Sequence, residues 1–169
     1  PAVVGVEDQI DVNFTVEEQP SGSISATVGY AENRGLILGL GYQESNVFGT
    51  GNSINVGINR SDFQTSLSLS FFDPYFTVDG VSRGYSISYR KSDFEDFNVA
   101  SFSTDSIGAN VSFGYPISEI SRINFNIGFE NTQIEEGIIP AREISEFLDR
   151  EGSEFNLITV QASYRMSAL

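Results

Sequence analysis

Residues 106–115 read Ser-Ile-Gly-Ala-Asn-Val-Ser-Phe-Gly-Tyr, and this stretch decides the fold. Apolar side chains stand at every second position from Ile107 to Tyr115, and Ser, Gly or Asn stands between them. Successive side chains of a β-strand point to opposite faces of its sheet. The alternation therefore predicts a strand with one apolar face and one small, polar face.

The same alternation recurs on both sides of this stretch. The apolar positions of the other predicted strands are Ile24, Ala26, Val28 and Tyr30; Leu36, Leu38, Leu40 and Tyr42; Ile54, Val56 and Ile58; Thr65, Leu67, Leu69 and Phe71; Tyr85, Ile87 and Tyr89; Ile123, Phe125, Ile127 and Phe129; and, least regularly, Ile158, Val160, Ala162 and Tyr164. Together with 106–115 these make eight strands, and the predicted fold class is all-β with an antiparallel up-and-down arrangement.

A break in the pattern precedes the first of these strands. An earlier alternating run from Ile10 to Val16 ends at Gln19-Pro20-Ser21-Gly22, where Pro ends strand pairing and Gly allows a sharp turn. We therefore expect residues 1–20 to close a preceding domain and residues 21–169 to form the strand domain. The chain opens at Pro1 without an initiator Met or a signal segment, which predicts a mature or excised piece.

Composition excludes several classes of function. The 169 residues contain no His and no Cys, so neither a Ser-His-Asp triad nor a thiol nucleophile nor a zinc site is available. A net charge of −14 argues against binding nucleic acid. We expect no catalytic residue, no cofactor and no metal among the site residues, and hence no enzyme; a barrel protease or lipase would lack its usual His.

The two faces of the predicted sheet differ in a way that bears on their surroundings. A soluble sandwich or a lipocalin-like barrel, binding a lipid or small ligand, is one interpretation. However, the polar face carries few charges, whereas a surface in water usually carries many. Tyr and Phe also collect at the strand ends, as in the aromatic girdles of outer-membrane barrels. These features favour a transmembrane barrel, with the binding module as the alternative.

The connections indicate an orientation. The two longest, 94–104 and 134–153, lie at the same end of the predicted strands, and outer-membrane barrels carry their long loops outside the cell. The connection at 73–84 is longer than a tight turn and fits this rule less well. Both ends of the chain then lie on the periplasmic side.

Three motifs resemble the BamA family of outer-membrane barrel-assembly proteins, within the superfamily of TamA-like proteins, organelle import pores and two-partner-secretion transporters. They are Val16–Tyr30, containing EEQPSGS and VGY; Gln43–Gly51, QESNVFGTG; and Asp73–Ser82, DPYFTVDGVS. The resemblance implies that residues 1–20 end the last periplasmic repeat, of POTRA type. Residues 21–169 would be the first eight strands of a sixteen-stranded barrel in the outer membrane of a Gram-negative cell.

The family's turn motifs also have a local physical meaning. They consist of Gly49, Thr50 and Gly51, and of Asp73, Pro74, Tyr75 and Phe76. The two glycines supply positive φ in a short turn, and the Asp-Pro pair starts another. Gly49-x-Gly51 lacks the third glycine and the helix of a phosphate-binding loop, so we expect turn chemistry at both motifs.

The resemblance further implies a mechanism and partners. The first strand would form a lateral gate that pairs with incoming strands by β-augmentation. Its residues are Gly22, Ser23, Ile24, Ser25, Ala26, Thr27, Val28, Gly29 and Tyr30. The implied partners are nascent outer-membrane proteins, periplasmic lipoproteins of an assembly complex, and outer-membrane lipids including lipopolysaccharide. Whether the eight-strand piece closes alone, self-associates edge to edge or belongs to a larger barrel stays open.

The connection 135–154 is strongly acidic and carries one helical signal. Ile144, Phe147 and Leu148 recur at i, i+3 and i+4 behind Pro140, which predicts a short amphipathic helix. We favour a solvated loop with this helix as a cap. The alternative is a helix resting on the outer leaflet or on neighbouring loops, with Ca²⁺ bound between the acidic residues and lipopolysaccharide phosphates.

Overall fold

The computed structural model describes residues 12, 14, 15, 17, 19–32, 34–94, 102–137 and 142–167. Within these residues the chain forms eight β-strands, one α-helix and one 3-10 turn. The strands are β1 (Gly22–Ala31), β2 (Gly35–Glu44), β3 (Ser53–Arg60), β4 (Gln64–Asp73), β5 (Ser82–Asp93), β6 (Phe102–Ser118), β7 (Ser121–Glu136) and β8 (Glu154–Met166). The 3-10 turn is Val47–Gly49 and the helix α1 is Arg142–Glu151.

The strands form one antiparallel meander. Each strand pairs with the next in sequence, in the order β1 to β8, which confirms the predicted up-and-down arrangement. β1 and β8 are the two outer strands of this sheet. The predicted preceding domain at 1–20 falls almost wholly outside the described residues.

The predicted ends of β6 and β7 are wrong. The predicted strand 106–115 is too short, because β6 begins at Phe102 and continues through Pro116 to Ser118, with a register irregularity between Pro116 and Ser118. Pro has no N–H to donate, so a ladder accommodates it at such an irregularity. β7 likewise extends to Glu136, past the predicted start of its connection at Ile134. Alternation marks the part of a strand that has one apolar face, and backbone pairing continues beyond it.

The sheet has no hydrophobic core of its own. Among the described residues no hydrophobic side chain is buried, and Ile24 and Val160 are 82% and 75% exposed. A soluble sandwich would bury these side chains under a second layer. The arrangement is that of an open segment of a barrel wall.

The inner, polar face is closely packed by small side chains. A Cβ atom added at Gly84 would lie 2.5 Å from Ser112 Oγ, and one added at Gly41 would lie 2.6 Å from Ser25 Oγ. Gly57 and Ser68, on two other strands, stand in the same relation at 2.8 Å. The Ser and Gly of the predicted polar face therefore fit together across neighbouring strands, as the crowded inside of a curved sheet requires.

Candidate functional site

The apolar side chains form one continuous band across all eight strands. Strand register aligns one residue from each strand in a single row: Ile24, Tyr42, Val56, Leu69, Ile87, Ala109, Phe129 and Ile158. This row confirms that the predicted apolar faces coincide, including that of the irregular last strand. We call this face the outward band.

The outward band runs obliquely to the strands. In β1 the band extends from Ile24 to Tyr30, toward the end with the long connections. In β8 it extends from Ile158 to Tyr164, toward the end with the short connections. The band thus shifts by six residues, about 20 Å, across seven strand spacings, about 34 Å. A band of constant height in a membrane therefore needs strands tilted by about 30°, close to the tilt of membrane barrels.

Charged side chains limit the outward band at both ends. The band is bordered by Arg60, Lys91 and Asp105 at the end with the long connections, and by Asp73 and Arg83 at the other end. The apolar band between two charged limits fits a membrane-spanning surface built from strands. No described helix is long and apolar enough to cross a membrane.

The predicted gate residues all lie on one exposed edge. β1 pairs along its whole length with β2, from Gly22 opposite Glu44 to Ala31 opposite Gly35. As the outer strand of the described sheet, it directs the N–H and C=O groups of alternate residues away from β2. At its lower end the carbonyl of Ser21 accepts hydrogen bonds from the N–H and the hydroxyl of Ser45, both at 2.9 Å.

The glycine turn has the conformation that its sequence predicted. Gly49 and Gly51 both have φ of 75°, in the region that favours glycine. Thr50 Oγ1 donates to the carbonyl of Val47 at 2.6 Å, and Gly51 N donates to Asn46 Oδ1 at 2.7 Å. Phe48 also has positive φ, of 52°, which sequence reasoning did not predict. These contacts support the interpretation as turn chemistry.

The Asp-Pro turn contains a partner that the sequence analysis missed. Asp73 accepts the N–H of Tyr75 at 3.1 Å and pairs with Arg83 Nε at 3.2 Å. The guanidinium of Arg83 also lies 4.0 Å from the ring centre of Phe76, a cation–π contact. Asp73 and Arg83 face each other in the β4–β5 ladder, so only the register identifies the pair.

The turn 74–81 also contacts β7 at the same end of the sheet. Gly80, with φ of 80°, donates its N–H to the carbonyl of Thr77 at 3.0 Å. Its own carbonyl accepts a 3.5 Å hydrogen bond from Arg122, at the start of β7. These contacts fix the position of the family motif relative to β7.

The predicted helix is confirmed as α1, and its apolar side turns inward. The ring of Phe147 stacks on that of Phe155 with centroids 5.7 Å apart. Phe155 lies opposite Thr132 on the inner face of β8, so α1 packs toward the inside of the sheet and away from the outward band. This contact supports the helical cap and contradicts a helix resting on the outer leaflet. Among the described residues no cluster of three or more acidic side chains is placed to hold a metal ion.

A second aromatic cluster joins two other connections at the same end. Phe94 stacks on Phe102 with centroids 4.8 Å apart, and Phe63 lies 6.5 Å from Phe94. Arg34, in the connection between β1 and β2, lies 6.0 Å from the ring centre of Phe63. The first three connections at this end are therefore linked through aromatic rings.

An oblique apolar band, a crowded polar inner face and an open edge define a segment of a β-barrel membrane protein. The model of the Omp85 superfamily domain matches residues 46–168, so the chain belongs to this superfamily. Proteins of this family lie in the outer membrane, as the sequence analysis predicted.

The similar proteins include outer-membrane assembly factors. The chain is 30% identical over 152 residues to outer membrane protein assembly factor BamA of Neisseria meningitidis, covering 89% of this chain and 19% of that protein. It is 29% identical over 127 residues to the BamA of Buchnera aphidicola, covering 75% of this chain and 21% of that protein. The chain thus spans about a fifth of the length of these curated relatives.

The fold is also similar to that of a solved structure. The crystal structure of BamA from Haemophilus ducreyi lacking POTRA domains 1-3 matches with a TM-score of 0.68 and 24% sequence identity. The match covers 97% of this chain and 33% of the other. It shows that the eight-stranded sheet has the fold of part of a larger barrel protein. The names of the two curated relatives describe assembly factors and no enzyme activity, in keeping with the prediction that the chain is not an enzyme.

Proposed function

We propose that this chain is the first half of the barrel of an outer-membrane protein assembly factor. Residues 1–20 would end its last periplasmic repeat, and residues 21–169 would form the first eight barrel strands. The observation that carries the proposal is the outer strand β1, which pairs with β2 along one side and presents backbone groups on the other. An incoming strand of a nascent outer-membrane protein adds to this edge by backbone hydrogen bonds.

The side chains of β1 suit a temporary partner. Its inner face carries only the small side chains of Ser23, Ser25, Thr27, Gly29 and Ala31, and a Cβ atom added at Gly29 would meet nothing within 4 Å. Small side chains specify register weakly, so strands of different sequence can pair at this edge. The contacts from Ser45 to Ser21 hold the lower end of β1, which keeps the strand in place while its edge is occupied.

The partners follow from this role. Nascent outer-membrane proteins are the substrates, and assembly lipoproteins bind on the periplasmic side, where the short connections and the preceding repeat lie. Outer-membrane lipids, including lipopolysaccharide, surround the outward band. The name of both relatives, outer membrane protein assembly factor, supports the substrate class.

Two neighbouring proline substitutions test the role of the edge. In an antiparallel ladder, successive residues direct their N–H groups to opposite sides, so one of Thr27 and Val28 donates toward β2 and the other away from it. In the full-length protein, one of Thr27→Pro and Val28→Pro should retain folding and lower the insertion rate about threefold to tenfold, because it removes only an edge donor. The other should destabilise the β1–β2 pair.

Alanine at the same positions is the matched control, because Thr27→Ala and Val28→Ala keep both backbone donors. Folding is followed by the faster gel migration of the unboiled barrel, and insertion by the same shift in a newly added substrate protein. Unchanged insertion in the proline variant that retains folding would contradict the proposal.

A further inference from the structure

The cationic side chains on the outward face differ between its two ends. By register, Arg60, Lys91 and Arg83 point outward, whereas Arg90 points inward with the polar face. Arg83 lies at the end with the short connections and is neutralised by Asp73 at 3.2 Å. Arg60 and Lys91 lie together at the other end, the extracellular end under the proposed function.

Arg60, Thr65 and Lys91 form a continuous row on three neighbouring strands. Arg60 of β3 lies opposite Thr65 of β4, which lies opposite Lys91 of β5. Two strand spacings separate the two cations, about 10 Å between their Cα atoms. A hydroxyl thus stands between two long cationic side chains that can converge on one anionic group.

An apolar row lies next to this row on the same face, nearer the middle of the strands. The residues one step below it on the same face are Ile58, Leu67 and Tyr89, which again lie opposite one another. The surface therefore has a cationic strip immediately above an apolar strip, at the upper limit of the outward band. An amphiphile with an anionic headgroup matches both strips, whereas free phosphate matches only the first.

The charges of this row are only partly compensated within the protein. Across the described ranges no ion pair includes Arg60, although the chain carries a net charge of −14. Lys91 Nζ lies 3.6 Å from Asp105 Oδ2, at the long end of ion-pair distances, and its side chain stays 48% exposed. An exposed guanidinium bordering hydrocarbon is costly without a counter-charge, and phosphate is one of the anions whose geometry its planar fork matches.

We propose that Arg60, Thr65 and Lys91 bind a phosphate group of lipopolysaccharide in the outer leaflet, with its acyl chains on Ile58, Leu67 and Tyr89. The proposal rests on the proposed function, because that function sets the extracellular orientation of this rim. The two cations hold the phosphate, and the hydroxyl of Thr65 donates to it. The site gives an acidic barrel a point of attraction in an anionic leaflet.

Binding of fluorescent lipopolysaccharide to the full-length protein in neutral detergent tests this site. Arg60→Gln should weaken binding about tenfold, because it removes a charge-assisted contact with phosphate, and Arg60→Gln with Lys91→Gln should weaken it further. Arg90→Gln is the matched control: it makes the same charge change beside Lys91 but on the inner face, and it should leave binding within twofold. Removing the lipid's phosphates should abolish the difference between parent and variants.

Different results would contradict the site, the choice of lipid and the proposed function. Equal effects of Arg60→Gln and Arg90→Gln, or no effect of the double substitution, would overturn the site. Phosphatidylglycerol that competes as strongly as lipopolysaccharide would overturn the choice of lipid. In the same samples, Arg60→Gln and Lys91→Gln should leave substrate insertion into vesicles without lipopolysaccharide unchanged. A parent protein that binds lipopolysaccharide but inserts no substrate would count against the proposed function alone.

Discussion

At the scale of residues, the pair of Asp73 and Arg83 shows how a family motif is held in place. The carboxylate accepts one backbone N–H and one guanidinium hydrogen bond, and its side chain is only 12% exposed. The sequence predicted a turn at Asp73-Pro74 but not this pair. Arg83 becomes the partner of Asp73 only through the register of β4 and β5, which depends on the length and conformation of the turn 74–81.

Removing the charge of Asp73 should loosen this turn. Asp73→Asn leaves the Arg83 guanidinium without its counter-charge, and we expect the free energy of unfolding to fall by about 2 kcal/mol. The measurement is the midpoint of urea unfolding of the full-length protein in lipid vesicles. Asp79→Asn, in the same turn and exposed, is the control and should stay within about 0.5 kcal/mol of the parent. Equal stability of Asp73→Asn and the control would contradict the role given to the ion pair.

At the scale of elements, the sequence predicted what depends on local periodicity. Alternation gave all eight strands and their apolar faces, and the spacing of Ile144, Phe147 and Leu148 gave α1. The ends of β6 and β7 could not be predicted in this way, since both faces there are polar or interrupted by Pro116. The direction in which α1 packs also escaped prediction, because it depends on the contact between Phe147 and Phe155, two residues on different elements.

That contact makes a prediction about α1. Phe147→Ala removes the ring that stacks on Phe155 and should free the helix from β8 without affecting the strands. Hydrogen exchange of the amides in α1 should become at least about tenfold faster, while exchange in β4 and β5 stays unchanged. Glu143→Ala, an exposed substitution on the same helix, should leave exchange slow. Equally slow exchange in Phe147→Ala would show that α1 is held by other contacts.

At the scale of the whole molecule, the described sheet buries no hydrophobic side chain, so its stability depends on what covers its outward band and its two outer strands. Its outward band meets lipid, its inner face packs small side chains, and its outer strands are open. Most of the described glycines and serines lie on the inner face and in turns, while much of the acidic excess lies in the connections and at strand ends. Sequence alone gave this division of faces; the oblique course of the band needed the register of all eight strands.

The central claim is that the edge of β1 receives incoming strands, and a cross-linking register scan tests it most directly. Cysteines are placed one at a time at Ser23, Ser25 and Thr27 of the full-length protein and along one strand of a substrate during insertion. If the strands pair, each two-residue step in β1 moves the best cross-link by two residues in the substrate, and cysteines at Ser86 and Ser88, inside the sheet, give none. Absent cross-links from β1, or equal yields from β1 and β5 without register, would contradict the account.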